Sequence, residues 1–388
     1  MDSSDFAKIL ESVRTWVHER VLPLEDRIES DDCVPDAVVQ EAKDMGLFGF
    51  ALPAWAGGLG LSMSEEVRLV FELGYTTPAL RSLFGTNNGI AGQTLVHGAT
   101  RQQQRDHLPA MATGERIASF ALTEEAAGSD PASLRTLAVR DGSGWILNGS
   151  KRYITNAPVA DLFVVFARTD TQQTSGRGIS VFLVPSDRPG LSVGPKDGKM
   201  GQRGAWTADV HFADVRLSDD QLLGGQDQLN NGYRLALSSL GHGRLHIAAL
   251  CTGLIRRLID EARTYANERI QGGRPISQHQ LILEMLADMS TDYRASRALV
   301  LDAADLYDQG ADTKVGPAQA KYFASEALAR AADRAVQIHG GSGYMHGVPV
   351  ERFYRDARLF RIYEGTSEIQ KLIIGRAATQ GNIGLPVD

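Results

Sequence analysis

Three stretches of this 388-residue chain carry groups suited to chemistry. In one, Glu364 follows Ile362 and Tyr363 and precedes Gly365 and Thr366. Apolar neighbours desolvate a carboxylate and raise its pKa toward neutrality, which makes it a base able to take a proton from carbon. The same residues fit a plain carboxylate near the start of the helix carrying Ile369, Leu372 and Ile373, stabilised by the helix dipole. A second stretch, Thr123 to Asp130, is small, polar and glycine-bearing, so amides and hydroxyls can approach a ligand; it also fits an ordinary acidic loop. In the third, Gln337 to Tyr344, Gly340, Gly341 and Gly343 allow close passage of a pyrophosphate or simply cap a long helix.

Other chemistries lack their patterns. No Walker loop occurs, and no G-x-G-x-x-G follows a strand pattern to open a helix. The nine histidines are dispersed; His242 and His246 lie one helical turn apart without an intervening Glu or a third ligand candidate, so no metal is expected. Cys33 and Cys251 are too few for a disulfide framework and fit a reducing compartment, the cytoplasm by default. A net charge of -7 without a basic run argues against nucleic acid. Asp2 and Asp5, with no long apolar segment behind them, argue against a secretory signal or membrane span.

The elements that must position these groups change character twice. Phe6, Ile9, Leu10, Val13, Trp16 and Val17 recur at helical steps until Pro23, and after the glycines between Gly57 and Leu61 helical spacing resumes at Val67, Leu69, Val70 and Leu73. From about Ile117 the runs Leu162 to Ala167 and Ile179 to Val184, and the alternation at Val210 and Phe212, read as strands, with a hairpin turn at Asp141 to Gly144. Beyond about Gly224 strand signals stop. Helical spacing runs from Leu245 to the Gly272, Gly273, Pro275 break, then over His279 to Tyr307 and Gly316 to Val336, which predicts an antiparallel bundle.

Taken in order, the loops resemble the acyl-CoA dehydrogenase family over almost the whole chain. The resemblance is carried by Leu122-Thr123-Glu124, Ala127 to Asp130, Asn148 to Lys151, Ile154-Thr155-Asn156, Met200-Gly201, Arg203-Gly204, Glu268-Arg269, Gln280, Gln337, Gly340-Gly341, Pro349 to Ala357 and Ile362 to Gln370. It implies a multidomain α+β fold: an N-terminal helical domain over 1–115, a central β-barrel-like or β-sandwich domain over 116–223, and a C-terminal four-helix bundle over 224–388. It also implies FAD, an acyl-CoA substrate, electron-transfer flavoprotein as electron acceptor, and a homotetramer built as a dimer of dimers.

By resemblance Glu364 abstracts the α proton of the thioester while the β hydrogen leaves as hydride to flavin N5. The backbone N–H of the base and a ribityl hydroxyl polarise the thioester carbonyl. Phe120, Leu122, Thr123, Tyr153 and Thr155 would line the isoalloxazine, and Ser129, Arg244 and Gly365 would face the acyl-CoA. Arg269, Gln280, Gln337 and Gly341 look like contacts to the ADP part of a neighbouring subunit's FAD, with Thr366 and Glu368 on the other side of that interface. Some members carry the base just before the arginine that is here Arg244; that position is Gly243, which accepts no proton. Departures from the family pattern are Glu125 for a common proline, Tyr153 for tryptophan, Ala205 for serine and Gly272 for phenylalanine. The alternatives are an acyl-CoA oxidase using oxygen, usually a much longer chain, and a catalytically silent flavin- or CoA-binding relative, which would have lost its base.

Overall fold

The computed structural model describes residues 2–173 and 175–384, so Met1 and residues 385–388 of the expected terminal domains lie outside the described residues. Helix α1, Ser3–Trp16, is capped by Asp2, which accepts from the Ser4 N–H at 2.8 Å. It buries Phe6, Val13 and Trp16, the face that its spacing predicted. A wider turn over Val17–Val21 follows, and the helix ends at Leu22–Leu24, where Pro23 has no N–H to give. The helices α2 (Glu25–Asp31), α3 (Asp36–Asp44), α4 (Met63–Leu73), α5 (Pro78–Asn88), α6 (Ile90–Gly98) and α7 (Arg101–Ala112) complete the N-terminal helical region.

The middle of the chain is a curled seven-stranded sheet. Its strands are β1 (Ala118–Ala121), β2 (Leu137–Asp141), β3 (Gly144–Thr155), β4 (Leu162–Arg168), β5 (Ile179–Pro185), β6 (Leu191–Val193) and β7 (Thr207–Ser218). The order is β1-β4-β2-β3-β7-β6, with β5 paired to β4. Val164 and Phe166 pack in one hydrophobic cluster with Leu95 and Met111 of the helices, while Phe163 and Val165 pack in another with Trp145 and Phe212. Burial on both faces explains why β4 reads as an unbroken apolar run. The predicted hairpin turn lies between β2 and β3, with Gly142 at φ 60°.

Three long helices dominate the C-terminal region: α8 (Gly232–Glu268), α9 (Gln280–Asp308) and α10 (Val315–His339). The short α11 (Pro349–Ala357) and α12 (Ser367–Ala378) pack against α10. One feature corrects the reading that strands stop after Gly224. A small hairpin, β8 (Ile270–Gln271) and β9 (Arg274–Pro275), joins α8 to α9. Its two-residue strands are too short to leave an alternation in the sequence. Gly272 and Gly273 form its turn with φ of 59° and 77°, a pair of left-handed residues that a phenylalanine at 272 would adopt only under strain. Among the described residues no helix is long and apolar enough to cross a membrane.

Candidate active site

Glu364 lies between the turn Arg358–Arg361 and α12, with its own backbone left-handed (φ 52°) and Gly365 beside it at φ 90°. A non-glycine residue stays in that region only where its surroundings hold it there. Gln370 of α12 donates to the carbonyls of Glu364 (3.2 Å) and Gly365 (2.9 Å), and Lys321 of α10 donates to Gly365 O (2.8 Å). Thr366 caps α12 by accepting from the Ile369 N–H. Among the described residues nothing accepts the Glu364 N–H.

The Glu364 residue is partly exposed, yet its Oε2 is sealed from solvent and has no hydrogen-bond partner among the described residues. Burial raises its pKa above the ordinary carboxylate value, against the opposing pull of Arg81, Lys321, Arg244 and His242. On α8, a Cβ added at Gly243 would overlap that Oε2 and come to 3.0 Å from Ile90 Cγ2. The glycine therefore makes room for the carboxylate. Its neighbour Arg244 is buried, and the Arg244 Nε likewise has no partner among the described residues.

The sheet reaches this region through β3. A bulge between Lys151 and Ile154 breaks the pairing with β7 and turns Tyr153 outward, left-handed at φ 57° and 60% exposed. Thr155 lies two residues on, and Asn156 (φ 61°) donates to Ser82 O, Leu83 O and Thr86 Oγ1 of α5. Phe120 on β1 is buried against Phe166, and Leu122 is held through its carbonyl by Lys151 Nζ at 3.1 Å. Lys151 also pairs with buried Glu124 at 2.7 Å, a tie that locks the loop leading through Thr123 toward exposed Ser129. Burial lowers the Lys151 pKa to about 8 against the pull of Glu124. In the loop before β7, Gln202 N–H donates to Asp356 of α11 and ties sheet to bundle.

Behind Glu364 lies a polar chain that sequence reasoning missed. Glu66 of α4 brings an oxygen to His242 Nε2 (2.8 Å) and His246 Nε2 (2.5 Å). The three ligand atoms lie within 4.8 Å of one another, so the expectation that the histidines have no third partner is corrected. Glu66 stands 180 positions from His246, and no local pattern connects them. Arg81 Nη2 sits 3.1 Å from His246 Nδ1. Guanidinium only donates, so Nδ1 accepts and Nε2 carries the proton given to Glu66. The His246 contact is a hydrogen bond, whereas His242 Nε2 approaches the same oxygen without hydrogen-bond geometry; both separations are shorter than the roughly 3.3 Å that two ligands on one tetrahedral zinc leave between them.

Burial pushes the His246 pKa down to about 4. Between the ordinary histidine value near 6.5 and about 4, the unfolded chain holds a proton that the folded one lacks, so stability is lost as pH falls through that window. Melting temperature is expected to drop between pH 6.5 and 4.5, and less steeply in His246→Gln. Equal slopes would contradict the assignment.

Thr366 and Glu368 sit at the start of α12, close in sequence to the base. Arg269, Gln280, Gln337 and Gly341 are all exposed and lie elsewhere. Arg269 ends α8, Gln280 starts α9, and Gln337 and Gly341 flank the end of α10, where His339 stacks on Tyr265 of α8 with ring centroids 4.3 Å apart. They therefore gather at one end of the bundle. At 1.5 Å per residue, Arg269 lies about 37 Å along α8 from Arg244.

Comparison with known proteins finds three family models along the chain: "Acyl-CoA dehydrogenase, N-terminal domain" over residues 3–115, "middle domain" over 119–215 and "C-terminal domain" over 230–379. The chain is 37% identical over 365 residues to an acyl-CoA dehydrogenase of Bacillus subtilis (strain 168), covering 94% of this chain and 95% of that one. It resembles the structure of butyryl-CoA dehydrogenase from Megasphaera elsdenii with a TM-score of 0.92 and 30% identity, over 96% of this chain and 98% of the other. A chain in the structure of the electron transferring flavoprotein of Acidaminococcus fermentans matches with a TM-score of 0.93 and 32% identity, over 97% and 99%.

Proposed function

The chain belongs to the acyl-CoA dehydrogenase family of FAD-dependent oxidoreductases, and from that premise we propose that it dehydrogenates an acyl-CoA thioester to the trans-2-enoyl thioester with Glu364 as base. The observation that carries this reading is the Glu364 turn: a sealed carboxylate oxygen and a backbone N–H, neither with a partner in the described chain, beside an equally partnerless Arg244 Nε. A polar atom left buried and unpaired is costly, which favours a ligand as its missing partner.

The residues also fit FAD. Tyr153 offers an exposed aromatic wall on a strained bulge, with Thr155, Phe120, Leu122 and Thr123 on adjoining segments and Thr366 and Glu368 at the helix start beyond the base. Bound FAD supplies a two-electron acceptor for the β hydrogen as hydride. The chain's own part is to receive the α proton on Glu364, to donate the Glu364 N–H to the thioester oxygen, and to hold the acyl-CoA through Ser129, Arg244 and Gly365. Gly243 leaves the carboxylate its space.

Arg269 stands about 37 Å along α8 from Arg244, which lies beside the proposed base, so that end of the bundle is remote from this chain's own base. That separation supports assigning Arg269, Gln280, Gln337 and Gly341 to the ADP part of a neighbouring subunit's FAD, in a homotetramer built as a dimer of dimers. Electron-transfer flavoprotein is the proposed acceptor, in keeping with the likeness to a chain in such a protein's structure. The free cysteines fit a cytoplasmic setting. An Arg269→Ala, Gln337→Ala double variant is expected to bind FAD about 10- to 100-fold more weakly, the loss of one or two hydrogen bonds to charged groups. Flavin content after gel filtration measures this, and wild-type retention would remove these residues from the site.

A further inference from the structure

We infer that Lys321 is a positioning residue for the proposed base: it holds the carbonyl of the left-handed turn and sets a positive charge close to the Glu364 carboxylate. The inference rests on the reading of Glu364 as base given above. Lys321 lies on α10 and is fully buried, a place lysine seldom occupies without a paired charge. Among the described residues no carboxylate lies within ion-pair distance of it. Its Nζ instead donates to Gly365 O at 2.8 Å.

That bond falls on the one segment whose backbone must be held. Five residues further along α10, Glu326 accepts from Arg361 Nε (2.9 Å) and Ser367 Oγ (2.6 Å), so the same helix grips the catalytic loop on both sides of the turn and Lys321 grips the turn itself. Gln370 reaches the Gly365 carbonyl from α12 at 2.9 Å. A shift in this carbonyl would rotate the Glu364–Gly365 unit and with it the direction of the carboxylate.

The charge matters as well as the bond. Glu364 is faced by Arg81 from α5, His242 and Arg244 from α8 and Lys321 from α10. Lys321 is in turn influenced by Cys251 and Arg244 of α8, by Glu364, and by Glu326 of its own helix. Burial lowers its pKa to about 8, which leaves it charged at neutral pH. Loss of that cation makes Glu364 harder to ionise.

The test is the rate of anaerobic flavin reduction by an active acyl-CoA ester, measured against pH in the holoenzyme. Lys321→Met is expected to move the acid limb upward by about one pH unit and to lower the plateau rate about tenfold, with the ester's dissociation constant unchanged. Lys321→Arg is expected to keep the limb near its wild-type position. A limb in Lys321→Met that coincides with wild type overturns the inference, because a merely structural lysine would lower rate or stability without moving it. If Lys321→Met does not accumulate as folded yellow protein, Lys321→Gln is read in the same way. Failure of the underlying reading looks different: Glu364→Gln would then be reduced as fast as wild type, whatever the Lys321 variants do.

Discussion

Replacing Glu364 with glutamine is expected to slow flavin reduction by acyl-CoA about 10³- to 10⁴-fold, the upper part of what a positioned general base contributes. Glutamine keeps the shape and the left-handed backbone of the turn, so FAD and the thioester should still bind; only the affinity for a proton is lost. Anaerobic bleaching with straight-chain, branched, cyclic and aromatic acyl-CoA esters measures this and identifies the acyl class as the one that bleaches the wild type fastest. The pH dependence has a defined sign. The base works deprotonated and burial raises its pKa, so the wild-type rate climbs with pH along a limb above the ordinary carboxylate range. Equal bleaching of variant and wild type by every ester would remove Glu364 from the reaction.

Gly243→Ala is expected to cost about 10²-fold in the same reduction although the substituted residue itself does no chemistry. The added methyl would occupy the position of the Glu364 Oε2, and Ile90 closes the other side at 3.0 Å, so the carboxylate must swing away. Displacement by roughly 1 Å suffices for a loss of that size. The effect should appear in the rate of reduction, with FAD content and melting temperature near wild type. A variant that reduces at the wild-type rate would mean the carboxylate works from another orientation.

Much of this arrangement is legible in the sequence. Helical spacing predicts α1, α4, α8, α9 and α10, whereas the apolar neighbours of Glu364 fit both a base and a helix-start carboxylate, and the family resemblance is what favours the base. What stayed hidden is what holds the motif in place. Glu66, Arg81, Gly243, Lys321 and Glu326 come from α4, α5, α8 and α10, and their meeting depends on how the helices cross, which leaves no trace in local spacing. Lys321 sits in an alanine-rich helix, where a lone lysine reads as a solvated position. The β8–β9 hairpin is too short to alternate, and the absence of phenylalanine at 272 makes sense only once the turn's positive φ values are known.

The crowding between position 243 and the tip of Glu364 also constrains descent. The two known placements of the base cannot be exchanged one substitution at a time from this sequence. A side chain introduced at 243 collides with the existing carboxylate, whereas removing Glu364 first takes away the proposed proton acceptor. Moving the proposed base to position 243 would therefore need a compensating change at 364.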